Sequence, residues 1–171
     1  MKLLRYGPPG AEKPGLLDAE GKVRSLEGHI DDVAGIVLTN QGIAKLAAID
    51  IAGLPLVSEP GRLGPCVART GKFICVGLNY ADHAAETGAA IPEEPILFMK
   101  ATSAITGPDD NVIIPRLSKK TDWEVELGVV IGDEARYVTQ ADAMSHVAGY
   151  CLINDVSERE FQAEQIGRAH V

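Results

Sequence analysis

The chain has 171 residues, 16 Lys+Arg against 24 Asp+Glu, and a formal net charge of -8; 46% of the residues are hydrophobic and 23% charged. This is ordinary globular usage, and a domain of this length buries roughly 70% of its unfolded surface. The acidic balance argues against nucleic acid, the apolar content against disorder, and no apolar run approaches the ~18 residues of a membrane span. The opening MKLLRYGPPG lacks an apolar stretch before its prolines, so no secretory leader is expected. Cys66, Cys75 and Cys151 are odd in number and show no CxxC spacing. They read as small buried hydrophobes of a reducing cytoplasm.

Residues 1–65 read as a small N-terminal α/β domain. Leu16–Leu17, the turn Asp18–Gly21 and Lys22–Val23 predict a hairpin. Short helices are expected over 30–38 and 40–50, and the Pro/Gly-rich stretch from Pro55 to Pro65 reads as a linker. The apolar run Phe73–Gly77 predicts a buried strand. A short helix should follow, capped by Asn79 and ended by Gly88. Ile96–Met99 and Val112–Ile114 predict two more strands, the first closing on Lys100 and the second stopped by Pro115. Residues 122–132 give the clearest strand. Thr139 and Asp142 suggest a capped helix to Ser145, Val147–Ile153 a buried strand, and Ser157 with Glu160 a box opening a last helix.

Side chains alternate faces along a strand. Over residues 122–132, Trp123, Val125, Leu127, Val129 and Ile131 then share a core face, and Asp122, Glu124 and Glu126 share the other. Neighbouring carboxylates on one face repel. A solvated face or a cation between them both satisfy this arrangement, and an all-oxygen site favours Mg2+, Mn2+ or Ca2+. Asp155, just after an apolar strand, is a candidate further ligand or a turn residue. His83 and Glu86 stand one helical turn apart, a spacing that suits a general base oriented by a carboxylate or an unengaged surface pair. Asp82 reads as helix-start chemistry. Lys100 could face an anionic substrate or solvent, and His29 and His146 show no partner pattern.

The succession KFICVGLNYADHAAE, PILFMK, DWEVELGVVIG and GYCLINDVSERE resembles the fumarylacetoacetate hydrolase family, over roughly residues 1–165. The nearest branch comprises bacterial 2-keto-acid hydratases, ureidoglycolate lyases and diketo-acid hydrolases. The resemblance implies an α+β chain: an incomplete mixed β-roll over residues 66–165 behind the N-terminal domain. It implies Mg2+ or Mn2+ on Glu124, Glu126 and Asp155, with Asp122 outside the ligand set. It also implies water activation by His83 and Glu86 on a lid, and keto-acid binding by Lys100. The family often has proline after that lysine; here it is Ala101. Expected partners are a small 2-oxo acid and a second copy in a homodimer, with no nucleic acid or membrane. The implied reaction is hydrolytic C–C cleavage of a 2,4-diketo acid with release of pyruvate. Ureidoglycolate lysis, oxaloacetate decarboxylation, keto–enol isomerisation and an inactive fragment stay open as alternatives. Residues 166–171 lose the family pattern and read as a non-native tail on a truncated catalytic domain.

Overall fold

Alternating apolar residues draw the N-terminal segment into an antiparallel sheet in the computed structural model, which describes residues 1–162. The strands are β1 (Lys2–Tyr6), β2 (Lys13–Leu17) and β3 (Val23–Ser25), in the order β1-β2-β3. The expected hairpin is β2–β3. Its turn is held by the Asp18 carboxylate, which accepts the N–H groups of Glu20 and Lys22 at 3.0 and 2.9 Å. Leu16 and Leu26 project into a core completed by Leu46 and Leu54.

Leu46 comes from helix α1 (Asn40–Ala47), where the Thr39 hydroxyl caps the N-terminus by accepting from Gly42 N at 3.1 Å. The helix expected over 30–38 shrinks to a 3-10 turn, Gly35–Leu38. Asp32 accounts for the loss: its carboxylate accepts from Val33 N at 2.8 Å and from Arg5 Nε at 2.7 Å. Such local side-chain bonding competes with helical backbone pairing. The Pro/Gly-rich stretch from Pro55 to Pro65 runs along both edges of the sheet. Leu56 bridges Arg24 on β3, and Leu63 bridges Tyr6 on β1, which occupies edge groups that would otherwise stay open.

Beyond residue 70 the structure consists of three two-stranded antiparallel pairs. Strand β4 (Ile74–Gly77) pairs with β5 (Ile96–Met99), and helix α2 (Ala81–Thr87) lies between them in sequence. Gly88 ends α2 in the left-handed conformation at φ 67°, as its position predicted. Asn79 does not cap it; Tyr80 holds that position without a side-chain hydrogen bond, because the helix starts one residue later than the sequence suggested. Val112–Ile114 forms no strand and is exposed. No neighbouring strand receives it, and Pro115 removes a donor directly after it.

The strand expected over 122–132 splits at Trp123–Glu124 into β6 (Thr121–Asp122) and β7 (Val125–Ile131). Strand β7 pairs with β8 (Val147–Asn154), and β6 with β9 (Ser157–Glu158). The Thr139–Asp142 side-chain contact forms at 2.7 Å. Only a 3-10 turn, Ala143–His146, follows, since β8 begins at Val147 and claims the next residues. Ser157 likewise lies in a strand rather than at a helix cap. The cap role passes to Glu158, whose carboxylate accepts from Phe161 N at 2.8 Å as the backbone turns helical from Arg159. The expected tail at 166–171 lies outside the described residues.

One expectation is reversed. Trp123, Val125, Leu127, Val129 and Ile131 are exposed, and the opposite face of β7 is half-buried. The paired strand widens the open face instead of covering it, since Tyr150 and Leu152 of β8 stand across from Val129 and Leu127 and are exposed too. The run at Phe73–Gly77 behaves the same way, with Ile74 and Val76 exposed opposite Met99 and Leu97.

The two regions are tied by polar contacts. Arg62 forks onto Asp110 with two bonds of 2.6 Å and reaches Glu12 at 2.9 Å. Asn40 donates to Asp133 at 3.0 Å and to the Ser145 carbonyl at 2.7 Å. Among the described residues no helix is long and apolar enough to cross a membrane.

Candidate functional site

The inner face of the β4–β5 pair carries Cys75, its register partner Phe98, and Lys100 two residues further on. Lys100 N–H donates to the Phe73 carbonyl at 3.0 Å, which extends the pairing by one step. The Lys100 ammonium forms an ion pair with Asp155, and each side chain is only 7% exposed. Asp155 follows β8 and is fixed through its backbone: its N–H donates to the Glu124 carbonyl at 2.8 Å. The Asn154 side chain accepts from Glu124 N at 3.2 Å. The break that splits the expected strand at Trp123–Glu124 therefore brings Glu124 and Asp155 together.

Asp122, Glu124 and Glu126 are all half-buried, as one shared face requires. A cation does sit between the first two, and it is a side chain. Arg159 Nε donates to Asp122 at 3.0 Å and its Nη2 to Glu124 at 2.5 Å, while Nη1 reaches Gln162 at 3.1 Å. Glu126 has a different environment. Burial pushes its carboxyl above the usual carboxylate range, the charges of Asp155 and Glu124 push it further, and Lys100 and His83 oppose the rise. Five of the six residues singled out from the sequence thus act on one another around Glu126.

Glu86 is the exception. His83 is half-buried on α2, but Glu86 is exposed, and the structure records no hydrogen bond between the two. Asp82 accepts from His83 N at 3.0 Å, consistent with helix-start chemistry. Lys100 is buried rather than solvated.

Three neighbours escaped the sequence reading. Arg159 stood inside an apparent capping box, and its contacts with Asp122 and Glu124 lie 37 and 35 residues away, beyond any local pattern. Glu158 is fully buried and accepts from Ser118 at 3.1 Å and Lys120 N at 2.9 Å, which locks β9 against β6. Cys75 faces the acidic cluster, where burial and the charges of Asp155 and Glu126 raise its thiol.

Glu124, Glu126 and Asp155 offer only carboxylate oxygens, which suits a hard divalent cation. Two observations favour that fit: the buried Asp155 Oδ1 accepts no hydrogen bond and is neutralised through the Lys100 ammonium alone, and the crowding raises Glu126. As the side chains stand, no three His, Cys, Asp or Glu groups among the described residues close on a common point. Lys100 and Arg159 hold two of the three carboxylates, so an ion would replace these side-chain cations.

Comparison with known proteins gives the family. The family model described as fumarylacetoacetate (FAA) hydrolase C-terminal matches residues 72–170. A Burkholderia multivorans protein, named as a hydrolase without a substrate, is 61% identical over 168 residues, covering 98% of this chain and 60% of its own length. The chain therefore spans about three-fifths of such curated relatives. The solved fumarylacetoacetate hydrolase of Exiguobacterium antarcticum superposes with TM-score 0.77 at 33% identity, covering 97% of this chain and 59% of that one. The 5-carboxymethyl-2-hydroxymuconate delta-isomerase of Mycobacterium smegmatis does so with TM-score 0.68 at 28% identity, covering 99% and 59%. The α+β class read from the sequence holds, and the chain belongs to the fumarylacetoacetate hydrolase family.

Proposed function

We propose that the whole protein hydrolyses a C–C bond of a 2,4-diketo acid and releases pyruvate, with Glu124, Glu126 and Asp155 holding Mg2+ or Mn2+, and Ca2+ as the weaker alternative. Enzymes of this family generally use a divalent metal. The observation that carries the reading is Glu126, half-buried and raised by burial, Asp155 and Glu124. A carboxylate in that setting gains more from a cation than from water. When bound, the ion supplies Lewis-acid polarisation of the 2-oxo acid and charge for the enolate that forms.

The chain's own residues supply the rest. His83 takes a proton from water, and Glu86, one turn along, orients the imidazole once its carboxylate turns inward. The hydroxide adds to the C4 carbonyl. The C3–C4 bond then breaks, its electron pair forms the pyruvate enolate, and the proton held on His83 returns to C3. Lys100 and Arg159, released from Asp155 and Glu124, offer positive charge to the substrate carboxylate. The enzyme would be a cytoplasmic homodimer.

Calorimetric Mg2+ titration tests the ligand set. Glu124→Ala and Glu126→Ala should each weaken binding by tenfold or more, and unchanged affinity in both would reject the assignment. His83→Ala should keep metal affinity and lower kcat by about 10²–10⁴ in a whole-length enzyme; full activity would remove His83 from the mechanism. The isomerase neighbour supports a second reading, enolising isomerisation of an unsaturated 2-hydroxy diacid. Turnover of that diacid without hydrolysis of acylpyruvates would favour it.

A further inference from the structure

Arg159 spans two carboxylates, and only one of them belongs to the proposed ligand set. Asp122, the other, is fixed by its own turn: its Oδ1 accepts the Trp123 N–H at 2.9 Å, which leaves Oδ2 to the guanidinium. That oxygen lies 3.0 Å from both Nε and Nη2 of Arg159. Nη1 donates to Gln162 at 3.1 Å. Every guanidinium nitrogen therefore has an acceptor other than Glu124. The Glu124 contact, Nη2 to Oε1 at 2.5 Å, is a further bond on a group already held. The backbones on either side are pinned. Glu124 N–H donates to the Asn154 side chain and its carbonyl accepts from Asp155 N–H, while Arg159 N–H donates to the Lys120 carbonyl at 2.9 Å. The part left to turn is the guanidinium. Its side chain is 31% exposed, unlike the buried Lys100–Asp155 pair, so water can receive a released Nη2.

We infer that Arg159 is a built-in competitor of the metal ion: its guanidinium, tethered on Asp122, occupies Glu124 and yields that carboxylate to an incoming divalent cation. This role rests on the ligand set proposed above. Mg2+ bonds oxygen at about 2.0–2.1 Å. An ion on Glu124 Oε1 shares that oxygen with a guanidinium nitrogen 2.5 Å from it, and the two cations repel. Glu124 cannot withdraw, because its backbone is bonded on both sides, so the guanidinium turns away. Metal affinity is then the difference between what Glu124 gains from the ion and what it loses from Arg159. Asp122, outside the ligand set, is a positioning residue. It keeps the displaced guanidinium beside the site, where the carboxylate of a 2-oxo acid can meet its positive charge. Without the Asp122 charge, giving up Glu124 costs Arg159 its last carboxylate partner among the described residues.

The test titrates Mg2+ calorimetrically into the full 171-residue chain and its variants. Arg159→Gln should bind Mg2+ about tenfold tighter than the parent, a coupling ordinary within one ion-pair network. Asp122→Asn should bind more weakly than the parent. Added to Arg159→Gln, the same substitution should change affinity by less than about twofold, because the tether then has nothing to hold. A second measurement uses the parent alone and stands even where a variant fails to fold. In its 15N spectrum, saturating Mg2+ should shift the Arg159 Nη signals and leave its Nε–H slow to exchange with water. Equal Mg2+ affinity in the parent and Arg159→Gln, or Nη signals that Mg2+ leaves unmoved, would overturn the competitor role and leave the ligand set standing. Equal weakening by Asp122→Asn in both backgrounds would overturn the tether. No Mg2+ binding by either the parent or Arg159→Gln would overturn the ligand set and the competitor role together.

Discussion

The chain's two regions bury opposite kinds of residue. Among the described residues, every buried apolar residue except Ala84 lies at or before Ala68. The first region closes Leu16, Leu26, Leu46 and Leu54 into a core and straps both edges of its sheet. Beyond Ala68, the buried side chains among the described residues, other than Ala84, are Lys100, Asp155, Ser157 and Glu158. There the apolar residues lie on open strand faces, and the interior consists of ion pairs and carboxylate-to-backbone bonds. An apolar core is non-directional and tolerates exchange of similar residues. A buried polar interior depends on every partner being present. The region that carries the candidate chemistry is therefore the one whose stability depends on individual charges.

The largest effect should come from removing one of those charges. Lys100→Met leaves Asp155 buried without its counter-charge, and breaking a buried pair in this way costs about 3–5 kcal/mol. Urea unfolding measures the loss. Under the proposed function Mg2+ restores part of it, because a divalent cation takes over the role of the ammonium. A variant as stable as the parent would show that the second region does not rely on this pair.

Next comes a contrast between two leucines. Leu26→Ala, in the closed core, should cost about 3 kcal/mol. Leu127→Ala, at 62% exposure, should stay within about 0.5 kcal/mol. Equal costs would mean that the β7 face is covered in solution. An uncovered apolar face of this size promotes association, so light scattering should fall for Leu127→Lys.

The smallest effect concerns the joint between the regions. The Arg62 guanidinium, with the Gly107 N–H, holds the Asp110 carboxyl well below its ordinary 3.8. A depressed carboxyl contributes stability that is fully present above its unfolded value and is lost as the pH falls through its folded value. Asp110→Asn should therefore be less stable than the parent at pH 7, and the difference should close on acidification below 3.8. A constant difference across that range would assign the effect to packing.

Local patterns in the sequence determined much of this. The β2–β3 hairpin follows from turn residues, the end of α2 from Gly88, and the β4, β5 and β8 strands from short apolar runs. The motif order carried the family. Alternation over 122–131 placed Asp122, Glu124 and Glu126 on one face, since a period of two is a property of the strand itself.

Only the tertiary structure decided what each face meets. Alternation separates two faces but does not say which one is covered, so Trp123 to Ile131 could pattern as a core face and still lie open. It also cannot say which cation satisfies a carboxylate. Arg159 and Lys100 reach Glu124 and Asp155 across 35 and 55 residues of sequence, and no local pattern records contacts of that range. Spacing within an element is set by backbone geometry, but the partner across a gap is set by how the elements pack.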